Sequence, residues 1–83
     1  MKTKPTHHEI KIESPFFHAV LSGDKTFEIR KNDRDYKVGD TLVLDCHGRK
    51  SPLFEITYLT NYAQRNGYVV FSFVASSKEI GCA

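Results

Sequence analysis

The chain has little cysteine: Cys46 and Cys82 are the only two in 83 residues. That is too few for the disulfide framework of a small secreted domain, and both are read as free thiols. A long hydrophobic run is also missing. The longest uninterrupted one, Tyr68-Val69-Val70-Phe71, falls far short of the roughly 20 apolar residues that span a bilayer. Nor does the N-terminal region hold an apolar stretch of signal-peptide type, so a cytoplasmic protein with no membrane role is expected. Charge of one sign is scarce. With 12 basic and 10 acidic residues the formal net charge is +2, too near neutral for wholesale polyanion binding, although a local patch can still meet a nucleic acid. His7, His8, Cys46 and His47 do not fall in the Cys-x-x-Cys or His-x-x-x-His spacing of zinc sites, so no metal and no cofactor is expected. Linkers, repeats and low-complexity segments are absent, which points to one domain over residues 1–83, with a core at about 8–74 and frayed ends.

What the sequence does supply is aromatic bulk and regular patterning. Six Phe and four Tyr bring large buried area per residue to a domain that, at this length, removes only about 60% of its unfolded surface from water. His8 to Ile12 alternates with period two, placing Ile10 and Ile12 on one face of a first strand. Ser14 before Pro15 reads as an N-cap followed by a first-turn proline. Phe16, Phe17, Val20 and Leu21 then form the buried stripe of a two-turn helix, His18 faces solvent, and Gly23 closes the helix. From Thr26 the period returns to two, with Phe27 and Ile29 on the expected core face and Thr26, Glu28 and Arg30 opposite. Val38-Gly39-Asp40 turns into a strand over Thr41 to Asp45, and His47 to Ser51 has hairpin-turn composition. Phe54, Ile56 and Tyr58 alternate in the next strand, and Tyr68 to Val74 is apolar on both faces, as a central strand would be. One helix after the first of five strands cannot build a parallel α/β sheet, so the fold class is mainly β: a small barrel of mostly antiparallel strands capped by one helix.

The segment with the most chemistry is Gly23-Asp24-Lys25-Thr26-Phe27-Glu28-Ile29-Arg30, which joins the helix end to a strand and lines up three charged groups. Its Gly23, Lys25, Glu28 and Arg30 resemble the Gly-x-Lys-x-x-Glu-x-Arg signature of the ASCH domain, a branch of the PUA-like superfamily. The flanks His8-Glu9-x-Lys11-Ile12, Asn32-Asp33-Arg34 and Val38-Gly39-Asp40 are similar to a small bacterial and phage ASCH-like family, so the resemblance covers roughly residues 8–74. It implies a PUA-like β-barrel whose motif borders a cleft for RNA or a nucleotide-like ligand.

The residues suit that role. Arg30 offers a planar fork for a phosphate or base edge, Lys25 a flexible point charge, and Glu28 an acceptor for an exocyclic amine. Tyr36 is expected to add a stacking face, Arg34 to line the cleft, and His8 to be either a wall residue or, more simply, a surface histidine. Arg49 and Lys50 are secondary phosphate contacts at a solvated hairpin tip. The blander reading of Glu28 and Arg30 is an exposed ion pair contributing roughly 0–1 kcal/mol. Two other functions compete. Some ASCH-fold proteins resemble amidohydrolases acting on acylated cytidine nucleosides through a lysine and a threonine three residues on; here Glu28 stands three residues after Lys25, and Thr26 adjoins it, so the expected nucleophile is absent. The third is a protein-interaction module that meets a partner on another surface.

Overall fold

The computed structural model describes residues 4–76. Six strands and one helix occur in the order β1 (His7–Lys11), α1 (Ser14–Leu21), β2 (Phe27–Lys31), β3 (Thr41–Cys46), β4 (Arg49–Lys50), β5 (Phe54–Thr60) and β6 (Tyr68–Ala75). The sheet runs β1-β3-β5-β6-β2, with the two-residue β4 hairpinned onto β3. Every pair is antiparallel except β1 with β3, where His7 lies beside Thr41 and Lys11 beside Asp45. The sheet curls into a half-barrel, the mainly β architecture that the patterning predicts. Its two edge strands, β1 and β2, come together without pairing: side chains from β2 and the loop after it reach β1 carbonyls. The concave side holds Ile10, Ile12, Phe17, Leu42, Leu44, Ile56, Val69, Phe71 and Phe73 in one cluster. No helix among the described residues is long and apolar enough to cross a membrane. Cys46 is a buried free thiol, whereas Cys82 lies outside the described residues.

Local sequence explains most of these elements. The His47-Gly48 hairpin has both residues at positive φ (52° and 93°), as a two-residue turn matching strand twist requires. β6 sits between β5 and β2, so its backbone is paired on both sides; Val69, Phe71 and Phe73 bury one face, while Val74 on the other is exposed. The helix begins differently from the sequence expectation. Glu13, not Ser14, occupies the N-cap position with no side-chain cap bond, and Pro15 falls in the first turn. Half of the expected stripe is buried, namely Phe17 and Val20, while Phe16 and Leu21 stay exposed. In β5, a register shift between Ile56 and Tyr58 turns Tyr58 to solvent and lets Leu59 pack against the core instead.

The largest departure concerns β2. Glu28 pairs with Phe71 and Arg30 with Val69, and directly opposed residues share a sheet face. Phe71 and Val69 are core residues. The charged pair is therefore on the concave face, while Phe27 and Ile29 are 41% and 52% exposed. The hydrophobic alternation of this strand is inverted with respect to the barrel.

α1 ends in a Schellman motif: the Gly23 amide donates to the Val20 carbonyl (3.1 Å) and that of Asp24 to Ala19 (3.0 Å), with Gly23 at φ +87°. A Cβ on Gly23 would meet nothing within 4 Å, so substitution costs conformational energy alone. Gly23→Ala is expected to destabilise the fold by about 1–2 kcal/mol, measured by chemical denaturation. Gly23→Asn, which tolerates the left-handed region, should lose less.

Candidate functional site

The Schellman turn delivers Lys25 to β2: its backbone amide shares the Ala19 carbonyl (3.0 Å). Its side chain turns back onto the strand. Nζ donates to Glu28 Oε2 at 2.6 Å and to the Phe27 carbonyl at 2.7 Å, with the Phe16 and Phe27 rings 5.8 and 4.9 Å away. Those rings place negative π faces beside the ammonium. On the other carboxylate oxygen, Oε1, Glu28 accepts from Arg30 Nε at 3.2 Å, and Arg30 Nη2 donates across the barrel opening to the Lys11 carbonyl at 2.8 Å. The Glu28 side chain is 6% exposed, that of Lys25 17% and that of Arg30 27%. This is a partly dehydrated network, not the exposed pair of the bland reading. A carboxylate so placed costs several kcal/mol unless compensated, which its two cations accomplish.

Above the network a cavity of about 510 Å³ lies between the edge strands. Lys11, Ile12, Glu13 and Phe16 form one wall, Glu28, Ile29 and Arg30 the opposite wall, and Asp45, His47 and Gly48 of the β3–β4 hairpin the end. Of the three motif side chains, Glu28 and Arg30 line this cavity, whereas Lys25 lies at a separate depression with Phe16 and Phe27. The structure adds Lys11, Glu13, Asp45 and His47, which sequence patterning missed because their convergence depends on the parallel β1/β3 register and on curvature. The one available hint is Lys11, which belongs to the family-like flank His8-Glu9-x-Lys11-Ile12. The Asp45 carboxyl is held below its ordinary range first by the Gly48 amide, whose N–H reaches Oδ1 at 2.8 Å, and then by Lys50. Lys50 also donates to Glu9 (3.2 Å), which lowers that carboxyl and raises the Lys50 ammonium. Lys50 is thus engaged locally, and Arg49 lies over the Phe17 ring at 5.5 Å.

A second cavity of about 300 Å³ opens on the other side of the Arg30–Lys11 bridge, where Arg34 and Tyr36 are found. Arg34 Nη1 donates to the Glu9 carbonyl at 2.8 Å, so Arg34 does line the opening. Tyr36 does not offer a stacking face. It is 4% exposed, with one ring neighbour in His8 at 4.7 Å and another in Phe71 at 4.9 Å. Asn32 explains its position, since Oδ1 accepts the Tyr36 amide (2.8 Å) and turns the loop inward. His8 is also corrected: it is buried, not on the surface, and its Nε2 lies 2.8 Å from Asp40 Oδ2. Asp40 in turn accepts the amides of Thr6 and Lys37 at 2.9 and 3.0 Å. His8 therefore backs Tyr36 from behind instead of forming a cleft wall. Among the described residues no group of three or more His, Cys, Asp or Glu side chains converges as a metal-binding set.

With this geometry in view, the profile of the family described as Domain of unknown function (DUF3850) matches residues 7–73. The chain belongs to that family. An uncharacterized 12.9 kDa protein of Escherichia phage P2, from the GpA 3′ region, is 51% identical over 37 residues, which cover 45% of this chain and 34% of the relative. The match thus spans about a third of that phage protein's length.

Two outcomes follow from the site's electrostatics. Lys25→Met leaves Glu28 buried with one cation and is expected to destabilise by about 3 kcal/mol, whereas Lys25→Met combined with Glu28→Leu should recover most of the loss in denaturant melts. Burial raises the Tyr36 phenol above its ordinary 10.0, against an opposing pull from Arg34 and Arg30. A folded-state pKa raised in this way gives stability that is present below pH 10.0 and lost as pH rises through the folded value. Tyr36→Phe should therefore remove the latest phase of the phenolate absorbance titration and flatten the alkaline decline in stability.

Proposed function

We propose that the opening between β1 and β2 binds RNA or a nucleotide-like ligand, in keeping with the resemblance of Gly23, Lys25, Glu28 and Arg30 to the ASCH signature of the PUA-like superfamily. The observation that carries the reading is the fixed guanidinium of Arg30. Nε is tied to Glu28 and Nη2 to the Lys11 carbonyl, while Nη1 has no acceptor among the described residues. A guanidinium oriented by two neighbours presents its remaining donors with little entropy left to lose, which favours phosphate or base-edge acceptors. The adjoining 510 Å³ volume lies within the roughly 300–1,000 Å³ range of small-molecule sites. Stability alone gives little reason for the network, since replacing a buried ion pair by apolar residues is often neutral or stabilising. Glu28 acts mainly by holding Lys25 and Arg30, and its role as a reader of amines is secondary, because both its oxygens already accept hydrogen bonds. A cytoplasmic setting belongs to the same proposal.

Two further readings have specific anchors. Phe16, Phe27 and Ile29 are exposed beside Lys25 around a shallow 360 Å³ depression, a surface that a protein partner would cover. For amidohydrolysis, Lys25 Nζ is already donated to two acceptors, and the hydroxyl-bearing Thr26 is exposed on the adjacent position.

An amide NMR titration with short RNAs and with unmodified and acylated cytidine nucleosides separates these readings. The expected result is salt-sensitive shifts at Lys11, Lys25 to Arg30 and Asp45 to Gly48, weakened at least about tenfold by Arg30→Lys, which keeps the charge but loses the fork. Since Arg30 faces the core side, the variant's dispersed spectrum must first show that it folds. Shifts confined to Phe16, Phe27 and Ile29 with a protein partner, or turnover of the acylated nucleosides, would replace the binding reading.

A further inference from the structure

We propose that the 300 Å³ chamber beyond the Arg30–Lys11 bridge is a phosphate subsite, so that the ligand of this domain is a nucleoside phosphate held with its base in the larger chamber and its phosphate on Arg34 and Lys31. The inference rests on the nucleotide-binding reading and narrows it.

The two chambers share Lys11 and Arg30 and differ in the sign of what else lines them. In the larger one the carboxylates Glu13, Glu28 and Asp45 outnumber the cations; Glu28 is held by Lys25 and Arg30, which leaves Glu13 and Asp45 as the acceptors suited to the N–H groups of a heterocycle. In the smaller one, Lys11, Arg30, Lys31 and Arg34 face two carboxylates, Glu9 and Asp33, and Glu9 is already bonded to Lys50. The excess positive charge there is as large as that of the whole chain. A ligand spanning the bridge must therefore carry donors at one end and negative charge at the other, joined over a short distance, as a nucleoside phosphate does.

The cations are also arranged for an anion. Arg30 and Arg34 donate to Lys11 and Glu9 carbonyls, two residues apart on one strand edge and so about 7 Å along it. Both planar groups are thereby held against the same edge. Arg34 keeps Nε and Nη2 without an acceptor among the described residues, and Lys31 Nζ has none there either. A phosphate between them would gain charge-assisted hydrogen bonds without displacing those to the strand.

The test is calorimetric titration of the full chain with the four nucleosides and their 5′-monophosphates, and with a short oligoribonucleotide bearing or lacking a 5′-phosphate. The expected result is that a monophosphate or the 5′-phosphorylated strand binds at least about tenfold more tightly than its unphosphorylated counterpart. That advantage should fall below about threefold in Arg34→Gln and in Lys31→Gln, with nucleoside affinity unchanged in Lys31→Gln. Lys31→Gln removes no hydrogen bond within the described residues, so it guards against loss of fold in the arginine variant. Preference for the mononucleotide series identifies a free nucleotide as the source, and preference for the strand identifies an RNA end. Equal affinity for phosphorylated and unphosphorylated partners, or an advantage that survives both variants, would overturn the phosphate subsite while leaving the base-binding reading intact. Absence of binding in every arm would overturn both.

Discussion

The carboxylate of Glu28 sets the terms for the rest of this structure. Pairing with Phe71 on β6 forces it to the concave face, where water is largely excluded and an uncompensated charge would be intolerable. Compensation comes from two directions, and each one shapes the fold. Lys25 must return from the end of α1, which fixes how the helix turn meets β2. Arg30 must lie flat along the sheet, which aims the far side of its guanidinium at the Lys11 carbonyl. A single buried acid thus ties the helix, one edge strand and the other edge strand into one unit.

That arrangement also solves the problem of two edge strands. Barrels commonly remove their edges by pairing backbone to backbone. Here β1 and β2 meet through side chains: Arg30 on the Lys11 carbonyl and Arg34 on that of Glu9. Guanidinium bridges satisfy carbonyls that a missing strand neighbour would have left open. They are longer than a backbone hydrogen bond and so hold the edges apart, and the space they keep open appears as the two chambers on either side of the Arg30 bridge. Had β1 and β2 paired directly, the ladder would have closed without a cavity.

Much of the scaffold was legible in the sequence because its signals are local. The period-two run at Ile10 and Ile12, the apolar strand over Tyr68 to Val74, the Gly23 helix stop and a hairpin turn within His47 to Ser51 each depend on residues within a few positions and appear in the structure, the turn narrowed to His47-Gly48 with Arg49 and Lys50 in β4. The errors share a different cause. Apolar character points Phe27 and Ile29 to the core, yet pairing with β6 decides the face, and sequence alternation cannot see that pairing. Tyr58 followed the same logic until a register shift reversed it. His8 illustrates the third kind of non-local effect: a polar ring becomes a core residue when a partner 32 positions away, Asp40, satisfies it, and Tyr36 is then buried between the His8 and Phe71 rings. For the site, the motif residues were visible as types at a spacing, whereas Lys11, Asp45 and His47 came to it only through curvature.

The inverted strand also explains why apolar residues stand exposed beside the charged opening. A strand can direct only one set of alternate residues inward, so placing Glu28 and Arg30 on the concave face puts Phe27 and Ile29 outside. Part of that cost is offset locally, since Phe27 and Phe16 flank the Lys25 ammonium and thereby strengthen the cation that neutralises Glu28. A domain of this size has few apolar residues to spare for the surface. An apolar inner face at β2 would have added core area and removed the desolvation of Glu28, so the present pattern is poorly accounted for as a device for stability. What it does create is a set of oriented donors in a partly dehydrated opening, where electrostatic interactions are far stronger than in water, and the binding proposal rests on that property.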